Sequence, residues 1–222
     1  MYIKIIFKGN DEFDINSSFK KVNGFVNKLF GENNHYHGKF SNYSVSKLQN
    51  GIFIGSKVIF TNGAFLTISS NDNELMDSLI GGIMKNKDNL KISNLIFESF
   101  DCFEFNIHDS YDLVRTTSPI RLCDKYKFIT FKDDDFIPYL TEKSIKKLIH
   151  NGLNENCAKT LKLELFHAEN AKTYFYNING AKNICSQVML IVKGDKEARK
   201  AMYELGFGSS TGFGFGSVKI IN

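Results

Sequence analysis

The feature that most constrains this chain is a glycine-rich segment close to its last residue. The segment reads GFGSSTGFGFG, with five glycines in eleven residues, and it lies between a predicted helix and a predicted final strand. Glycine allows left-handed backbone and the close approach of another backbone, and successive exposed N–H groups form a concavity that holds phosphate oxygens. The pattern therefore predicts an anion-binding loop. Its candidate residues are Gly206, Gly208, Ser209, Ser210, Thr211, Gly212, Gly214 and Gly216.

Other glycine-rich motifs fit this segment less well. A dinucleotide-binding fingerprint follows a strand and precedes a helix, whereas here the helix comes first and the strand follows. The segment also lacks the Gly-Lys-Ser/Thr ending of a P-loop. A slack connection after a helix that ends at Gly206 is the remaining alternative. The interleaved Phe207, Phe213 and Phe215 argue against it, because they suit packing and stacking beside a backbone.

The first half of the chain shows a β-α-β-β-α-β order. A strand over Tyr2–Lys8 precedes a helix over residues 18–30, whose apolar positions form one stripe. Short strands with Asn-Gly turns follow over residues 43–48, 51–55 and 57–61. A second helix over residues 73–84 and a strand-rich region over 90–116 complete the order, which is typical of a ferredoxin-like fold.

The second half repeats this order from Pro119 onwards. We predict, in turn, a strand through residue 131, a helix over 141–150, a hairpin of 161–166 with 187–192, a helix over 195–205 and a last strand over 217–221. The expected fold is therefore α+β, with two tandem ferredoxin-like, RRM-like βαββαβ domains and antiparallel sheets. Proline disfavours helix at the preceding residue, so Ser118-Pro119 is the predicted hinge between domains 1–117 and 118–222.

Composition limits the class of protein more than its function. With 222 residues, 42% of them hydrophobic, the chain can bury a core, and Met1 leads directly into an alternating strand pattern. We therefore expect a cytoplasmic protein without a membrane span. The four cysteines lack metal-ligand or disulfide spacing, so we expect buried thiols. The formal charge of +4 indicates an anionic partner only if the lysines share one face.

A pair of histidines follows the first predicted helix, in the segment NNHYHGKF. Histidine populates both protonation states at neutral pH, so His35 and His37 could act as general base and general acid in catalysis. Lys39 could neutralise charge that develops on phosphate oxygens, and Tyr36 could offer a hydroxyl. A solvent-exposed polar loop without chemistry and an adventitious metal site are the alternatives, since side chains at i and i+2 of an extended segment point the same way.

Four segments together resemble one protein family. The glycine loop lies between the last helix and the last strand, and VKGDKEARKAMYELGFG leads into it. RTTSPIRL, residues 115–122, resembles a strand that opens the family's second domain, and FSNYSVSKL, residues 40–48, resembles a segment that follows its catalytic region. The combination resembles the repeat-associated RNA-binding proteins of CRISPR systems, and especially the Cas6 endoribonucleases.

The resemblance implies an enzyme that cuts CRISPR repeat RNA, processing precursor crRNA into guide RNAs. By this resemblance cleavage is metal-independent and needs no cofactor: the 2′-OH attacks the phosphorus and leaves a 2′,3′-cyclic phosphate and a 5′-OH. The family's catalytic histidine matches the region of His35 and His37, with His37 favoured and His35 as its partner. Lys39 and Tyr36 carry over only as helpers. The repeat RNA is the expected partner, together with subunits of an effector complex or a second copy of the chain.

Two further groups of basic residues are candidates for RNA contact. Lys143, Lys146 and Lys147 share one side of the helix that follows Thr141, and an ordinary solvated helix face is an equal alternative. Arg115 and Arg121 flank the predicted hinge strand, where arginine could pair with phosphate, with a guanine edge or with structural partners.

Two other functions stay open at this stage. A catalytically silent crRNA-binding subunit would keep the fold and the loop without cleavage. A ferredoxin-like protein that binds a small nucleotide in the glycine loop would bind no RNA. The histidine pair favours the endoribonuclease.

Overall fold

The computed structural model describes residues 1–31, 41–124, 127–178 and 180–221, and it is an α+β structure. The helices are α1 (Ile15–Phe30), α2 (Asn73–Asn86), α3 (Phe136–His150), α4 (Glu155–Ala158) and α5 (Lys196–Leu205). The strands are β1 (Tyr2–Lys8), β2 (Asp11–Asp14), β3 (Tyr43–Val45), β4 (Ile52–Ile54), β5 (Lys57–Phe60), β6 (Ala64–Ser70), β7 (Lys91–Ile92), β8 (Leu95–Phe103), β9 (Tyr111–Thr116), β10 (Ile120–Arg121), β11 (Lys162–Phe166), β12 (Lys172–Ile178), β13 (Ala181–Gln187), β14 (Met189–Lys193) and β15 (Val218–Ile220).

The first half forms an antiparallel sheet in the order β3-β6-β1-β8-β7. Its main elements follow the sequence β1-α1-β3-β6-α2-β8, which is the predicted βαββαβ order. The core lies between the sheet and the apolar faces of α1 and α2, where Ile5, Val26 and Leu79 are fully buried. Asp14 caps α1, because its side chain accepts hydrogen bonds from the backbone N–H groups of Asn16 and Ser17.

The second half repeats this arrangement with other elements. Its antiparallel sheet has the order β11-β14-β9-β15, and its main elements follow β9-α3-β11-β14-α5-β15. Each half therefore places its first strand between its third and its fourth. The prediction of two tandem ferredoxin-like domains with antiparallel sheets is confirmed.

The strand pairing bears on where the two halves divide. Strand β9 lies between β14 and β15 in the second sheet, and Val114 belongs to the second core. The boundary predicted after residue 117 would separate this strand from both of its partners. The pairing favours a boundary within residues 104–110, and Ser118-Pro119 then falls inside the second half as the approach to β10.

Two small sheets accompany the ferredoxin-like pair. One has the order β2-β5-β4, and the other has the order β10-β13-β12. The hairpin of β12 and β13, which is inserted between β11 and β14, was not predicted. The strand predicted through residue 131 is wrong beyond Arg121, apart from a bridge between Cys123 and Phe128. Helix α3 begins five residues earlier than predicted, at Phe136.

A third apolar cluster joins the two halves. Phe19 of α1, Tyr176 and Ile178 of β12, Cys185 of β13 and Phe215 of the glycine-rich segment are all buried there. The rings of Phe19 and Phe215 stack with centroids 4.9 Å apart. The glycine-rich segment is thus part of the junction between the halves.

The second core contains a buried ion pair. Arg199 of α5 and Asp112 of β9 are completely buried, with Nη1 and Oδ2 2.6 Å apart. The Tyr203 hydroxyl donates a second hydrogen bond to the same carboxylate oxygen at 2.9 Å. Arg199 also donates to the backbone carbonyls of Gly194, just before α5, and His108, just before β9. Its side chain therefore joins the segments from which both elements start.

The cysteines differ from the expectation of buried thiols. Only Cys185 is buried, whereas Cys102 is exposed and Cys123 and Cys157 are half-buried, and all four are free. Among the described residues, no helix is long and apolar enough to cross a membrane.

Candidate functional site

The glycine-rich loop of residues 206–217 follows α5 directly and is mostly buried. At two positions of the loop another backbone segment lies so close that only glycine fits. A Cβ on Gly216 would lie 1.8 Å from the carbonyl oxygen of Phe207, and one on Gly208 would lie 2.5 Å from that of Arg121. Both residues have positive φ, 68° and 77°, which a residue with a side chain adopts only under strain.

The loop uses several of its N–H groups internally. Phe207 donates to the carbonyl of Gly216, Gly216 to that of Pro119, and Ser209 to that of Arg121, at 2.8 to 3.0 Å. These groups do not form the open concavity that the sequence predicted, and Gly206, Gly212 and Gly214 are buried as well. The glycines shape the loop, and contact with a phosphate stays a prediction for its tip, Gly208 to Thr211.

The loop tip touches the first half of the chain. The Thr211 hydroxyl donates to the backbone carbonyl of Tyr43 in β3 at 3.0 Å. Ser210 is exposed and Ser209 is half-buried, so their hydroxyls are open to a ligand. Phe207 is fully buried in the second core and Phe215 in the junction cluster, so neither ring is free to stack on a base.

A cavity of about 700 Å³ opens between the loop tip and α3. It is the central feature of the candidate site, because it brings the predicted helix lysines to the predicted loop. Its lining residues are Ser41, Lys143, Lys146, Lys147, His150, Asn151, Gly208, Ser209, Ser210 and Thr211. Sequence reasoning missed Ser41 and Asn151 and assigned no chemistry to His150, since nothing in their local pattern marks them.

The three lysines of α3 have different partners. Lys146 is exposed and pairs with Glu142 one turn earlier, and the Nζ of Lys143 donates to the carbonyl of Cys123 at 2.9 Å. The Nζ of Lys147 donates to the carbonyl of Gly206 at 2.9 Å. Burial, and secondarily the charge of Lys143, lowers the pKa of Lys147 to about 7. The cavity wall is therefore cationic, with one amine that titrates near neutrality.

Arg121 of β10 lies at the loop tip. Its Nε donates to Oδ1 of Asn183 at 2.7 Å and its Nη1 to the hydroxyl of Ser210 at 3.3 Å. The guanidinium carbon lies 5.5 Å from the ring centroid of Phe128, within cation–π range. The side chain is thereby held in one orientation beside the cavity, with further N–H groups available to an acceptor.

The structure does not bring Arg115 to this cavity. Arg115 is exposed on the face of the second sheet that is turned away from α3 and α5, directly opposite Lys219 of β15. Its charge contributes, after burial, to lowering the pKa of Lys47 to about 8. The predicted role of Arg115 in RNA binding therefore belongs to a different surface.

The predicted catalytic residues His35, Tyr36, His37 and Lys39 lie outside the described residues. Ser41, the first described residue after them, lines the cavity. Ser41 also packs closely against the glycine loop, because a Cβ added to Gly212 would lie 2.8 Å from the Ser41 hydroxyl.

One group of possible metal ligands occurs among the described residues. Potential donor atoms of Cys157, Asp195 and Glu197 lie within 4.8 Å of one another. Asp195 already caps α5 by accepting from the N–H of Glu197. Burial, followed by the charge of Asp195, raises the pKa of the Cys157 thiol, so the protonated form prevails and disfavours metal binding.

Comparison with known proteins identifies the family. The model of the family "CRISPR associated protein Cas6, C-terminal" matches residues 103–220, which is more than half of the chain. The chain belongs to the Cas6 family. A curated relative from Methanocaldococcus jannaschii, named CRISPR-associated endoribonuclease Cas6 1, is 26% identical over 209 residues, which cover 87% of this chain and 79% of the relative. The Cas6 match includes β9, in agreement with the strand pairing of the second half.

Solved structures agree with this Cas6 assignment at the level of the fold. A Cas6-related protein from Pyrococcus furiosus aligns with a TM-score of 0.82 at 22% identity, over 100% of this chain and 98% of that one. A structure described as an RAMP protein binding different RNA substrates aligns with a TM-score of 0.81 at 18% identity, covering 100% of both chains.

Proposed function

We propose that this chain is an endoribonuclease, the activity that the name of its curated relative gives for that protein, and that its substrate is CRISPR repeat RNA. The observation that carries the proposal is the cavity in which lysines of α3 face the hydroxyl-bearing tip of the glycine loop. Lysine side chains attract a phosphate backbone, and hydroxyl and backbone N–H groups give directional hydrogen bonds to phosphate oxygens.

The arrangement suits RNA better than a small nucleotide. The cavity is lined by residues of both halves, because Ser41 of the first half joins α3 and the loop tip, and this open arrangement suits an extended backbone. Arg121 adds a preoriented guanidinium beside Ser210, and Lys146 adds an exposed charge on α3. A compact binding pocket would enclose its ligand on most sides.

The catalytic part of the proposal rests on sequence position. His37 precedes Ser41 by four residues, and four residues of chain span at most about 14 Å. His37 is thus tethered close to a residue that lines the cavity, and His35 is only two positions further away. The tether supports their assignment to chemistry at the phosphate that the cavity binds.

The proposed reaction is an in-line transfer that needs no metal. One histidine takes the proton of a 2′-OH, and that oxygen attacks the adjacent phosphorus. The bond from phosphorus to the 5′ oxygen breaks, and the other histidine gives that oxygen a proton. The products are a 2′,3′-cyclic phosphate and a 5′-OH. Lys39 would stabilise the negative charge on the nonbridging oxygens during transfer, and Tyr36 would orient the ribose.

The decisive experiment incubates the purified protein with a cognate repeat RNA in excess EDTA. We expect cleavage to proceed, to stop with a 2′-deoxy substitution at the scissile nucleotide, and to fall at least about 10²-fold in His35→Ala/His37→Ala, as expected for loss of general acid–base catalysis. The matched control is His108→Ala, which removes an exposed histidine of the 104–110 connection and should leave the rate unchanged. Loss of cleavage in EDTA that returns with added metal would contradict the mechanism.

A catalytically silent crRNA-binding subunit is the second candidate. The cavity supports it equally, because the lysines and the loop would bind RNA with or without the histidines. Tight binding of uncleaved repeat RNA by the unmutated protein, together with no product after prolonged incubation, would favour this function over cleavage.

A further inference from the structure

Lys147 differs from the other two cavity lysines in the acceptors of its amine. Its Nζ donates to the carbonyls of Gly206 at 2.9 Å and Leu205 at 3.5 Å, where α5 ends and the glycine loop begins, whereas Lys143 donates to the carbonyl of Cys123. Lys146 instead is exposed and pairs within its own helix. Lys147 therefore links α3 to the base of the loop.

The end of α5 needs such a donor. The last carbonyls of a helix have no partner within the helix, and they carry partial negative charge that a cation stabilises. The last turn of α5 contains no basic residue of its own. Lys147 supplies a hydrogen-bond donor from a neighbouring helix, at the carbonyl where the chain turns into left-handed backbone at Gly206.

The anchored carbonyl is close to the working part of the loop. Gly206 is followed by Phe207, which is fixed by its bond to Gly216, and by Gly208, which packs against the backbone of Arg121. Ser209, three residues beyond the anchor, begins the accessible tip. Because this short path is tightly packed, a shift of Gly206 must displace the tip or break a backbone hydrogen bond.

We propose that Lys147 is a positioning residue that fixes the glycine-loop tip for RNA and does not itself bind a phosphate. This inference rests on the proposed RNA-binding function of the cavity. The burial that lowers the pKa of Lys147 to about 7 supports it, since an amine that is partly neutral at physiological pH is a weak phosphate ligand. Lys143 and Lys146 remain the phosphate-contacting lysines of α3.

Hydrogen exchange tests the structural half of this proposal without RNA. In Lys147→Met, the backbone amides of residues 206–211 should exchange at least about 10-fold faster than in the unmutated protein. Lys147→Arg, which keeps the donor, should restore slow exchange, and Lys146→Met should behave as the unmutated protein. Unchanged exchange in Lys147→Met would overturn the positioning role, whether or not the protein proves to bind RNA.

The salt dependence of RNA binding tests the other half. Each phosphate contact adds slightly less than one to the slope of log affinity against log salt. Lys147→Met should weaken binding of repeat RNA about 10-fold with an unchanged slope, and Lys147→Arg should recover most of the affinity. Lys146→Met should lower the slope by slightly less than one. A slope that falls equally in Lys147→Met would show direct phosphate contact and overturn the proposal, whereas absence of RNA binding by the unmutated protein would refute the proposed function itself.

Discussion

The two halves of the molecule differ most in the connection between their second helix and their last strand. In the first half this connection makes a short turn and the edge strand β7, which pairs with β8 of the same sheet. In the second half the equivalent connection is the glycine loop, which leaves its own sheet and packs on Phe19 and Tyr43 of the first half. One topological position thus serves an edge strand in one half and both the interdomain junction and the candidate site in the other.

The cores on which these connections rest differ as well. Among the described residues of the first half, the buried polar ones are serines, whereas the second half buries the ion pair of Arg199 and Asp112 directly beneath the helix that leads into the loop. The ion pair fixes α5 to β9, and Lys147 fixes the end of α5 to α3. The glycine loop, which contacts the first half, therefore follows a helix that is held by an ion pair and a side-chain hydrogen bond as well as by apolar packing.

The largest effect is expected from breaking this support. Arg199→Met leaves the Asp112 carboxylate buried with the Tyr203 hydroxyl as its remaining side-chain donor, and removal of one partner from a buried ion pair typically costs about 3–5 kcal/mol. Chemical denaturation should report this loss of free energy of unfolding. The double variant Arg199→Met/Asp112→Leu removes both charges and should regain much of the loss. A loss below about 1 kcal/mol in the single variant would contradict the assigned role.

Glycines of the two halves give the next contrast. Gly216→Ala places a Cβ against the Phe207 carbonyl at positive φ, and strain together with overpacking should cost about 2–4 kcal/mol of unfolding free energy. Gly81→Ala lies within α2 with no atom within 4 Å of the new Cβ, and it should stabilise the protein by up to about 1 kcal/mol. Denaturation curves of the two variants check the opposite signs. Equal effects would mean that the loop accommodates a Cβ by moving.

Much of the fold could be predicted because local patterns agree with the tertiary structure. The apolar stripe of α1, the Asp195 cap of α5 and the alternation of β1 all specify the elements that form. Helix α3 begins before the predicted position and contains Pro138 in its first turn, where proline is tolerated since those N–H groups have no partner within the helix. The hairpin of β12 and β13 escaped notice because its strands pair mainly with each other.

The candidate site was predictable in composition more than in geometry. The loop and Lys143, Lys146 and Lys147 come together at one cavity, whereas the sequence indicated them only as separate candidates for phosphate contact. The sequence could not reveal that the glycines serve close packing, since Gly208 meets the backbone of Arg121 only through the tertiary fold. For the same reason the contact of Lys147 with the Gly206 carbonyl, and the position of Arg115 on another surface, required the structure.

A pair of half-buried lysines, one in each half, should produce a pH-dependent difference. Burial lowers the pKa of Lys147 to about 7 and that of Lys47 to about 8, below the ordinary value of about 10.4 in the unfolded chain. At pH values between its folded and unfolded pKa, each lysine binds more protons in the unfolded state. The free energy of unfolding therefore rises with pH, by at most about 1.4 kcal/mol per pH unit for each lysine.

Denaturation at a series of pH values separates the two lysines. The free energy of unfolding of the unmutated protein, relative to Lys147→Met, should begin to rise near pH 7 and level off above pH 10. Relative to Lys47→Met, the rise should begin near pH 8. Differences that stay flat over this range would mean that both amines keep their proton in the folded protein, and would remove the distinction between the halves.

The smallest effect is expected at the hydrogen bond by which Thr211 of the loop tip contacts the first half. Thr211→Val removes the hydroxyl that donates to the Tyr43 carbonyl, and loss of one such bond should cost about 1 kcal/mol of unfolding free energy. Thr173→Val is the matched control, because the Thr173 hydroxyl is buried without a partner among the described residues, so its replacement should be neutral or stabilising. If the two substitutions cost the same, the tip is held against the first half by packing, to which the stacked rings of Phe19 and Phe215 contribute.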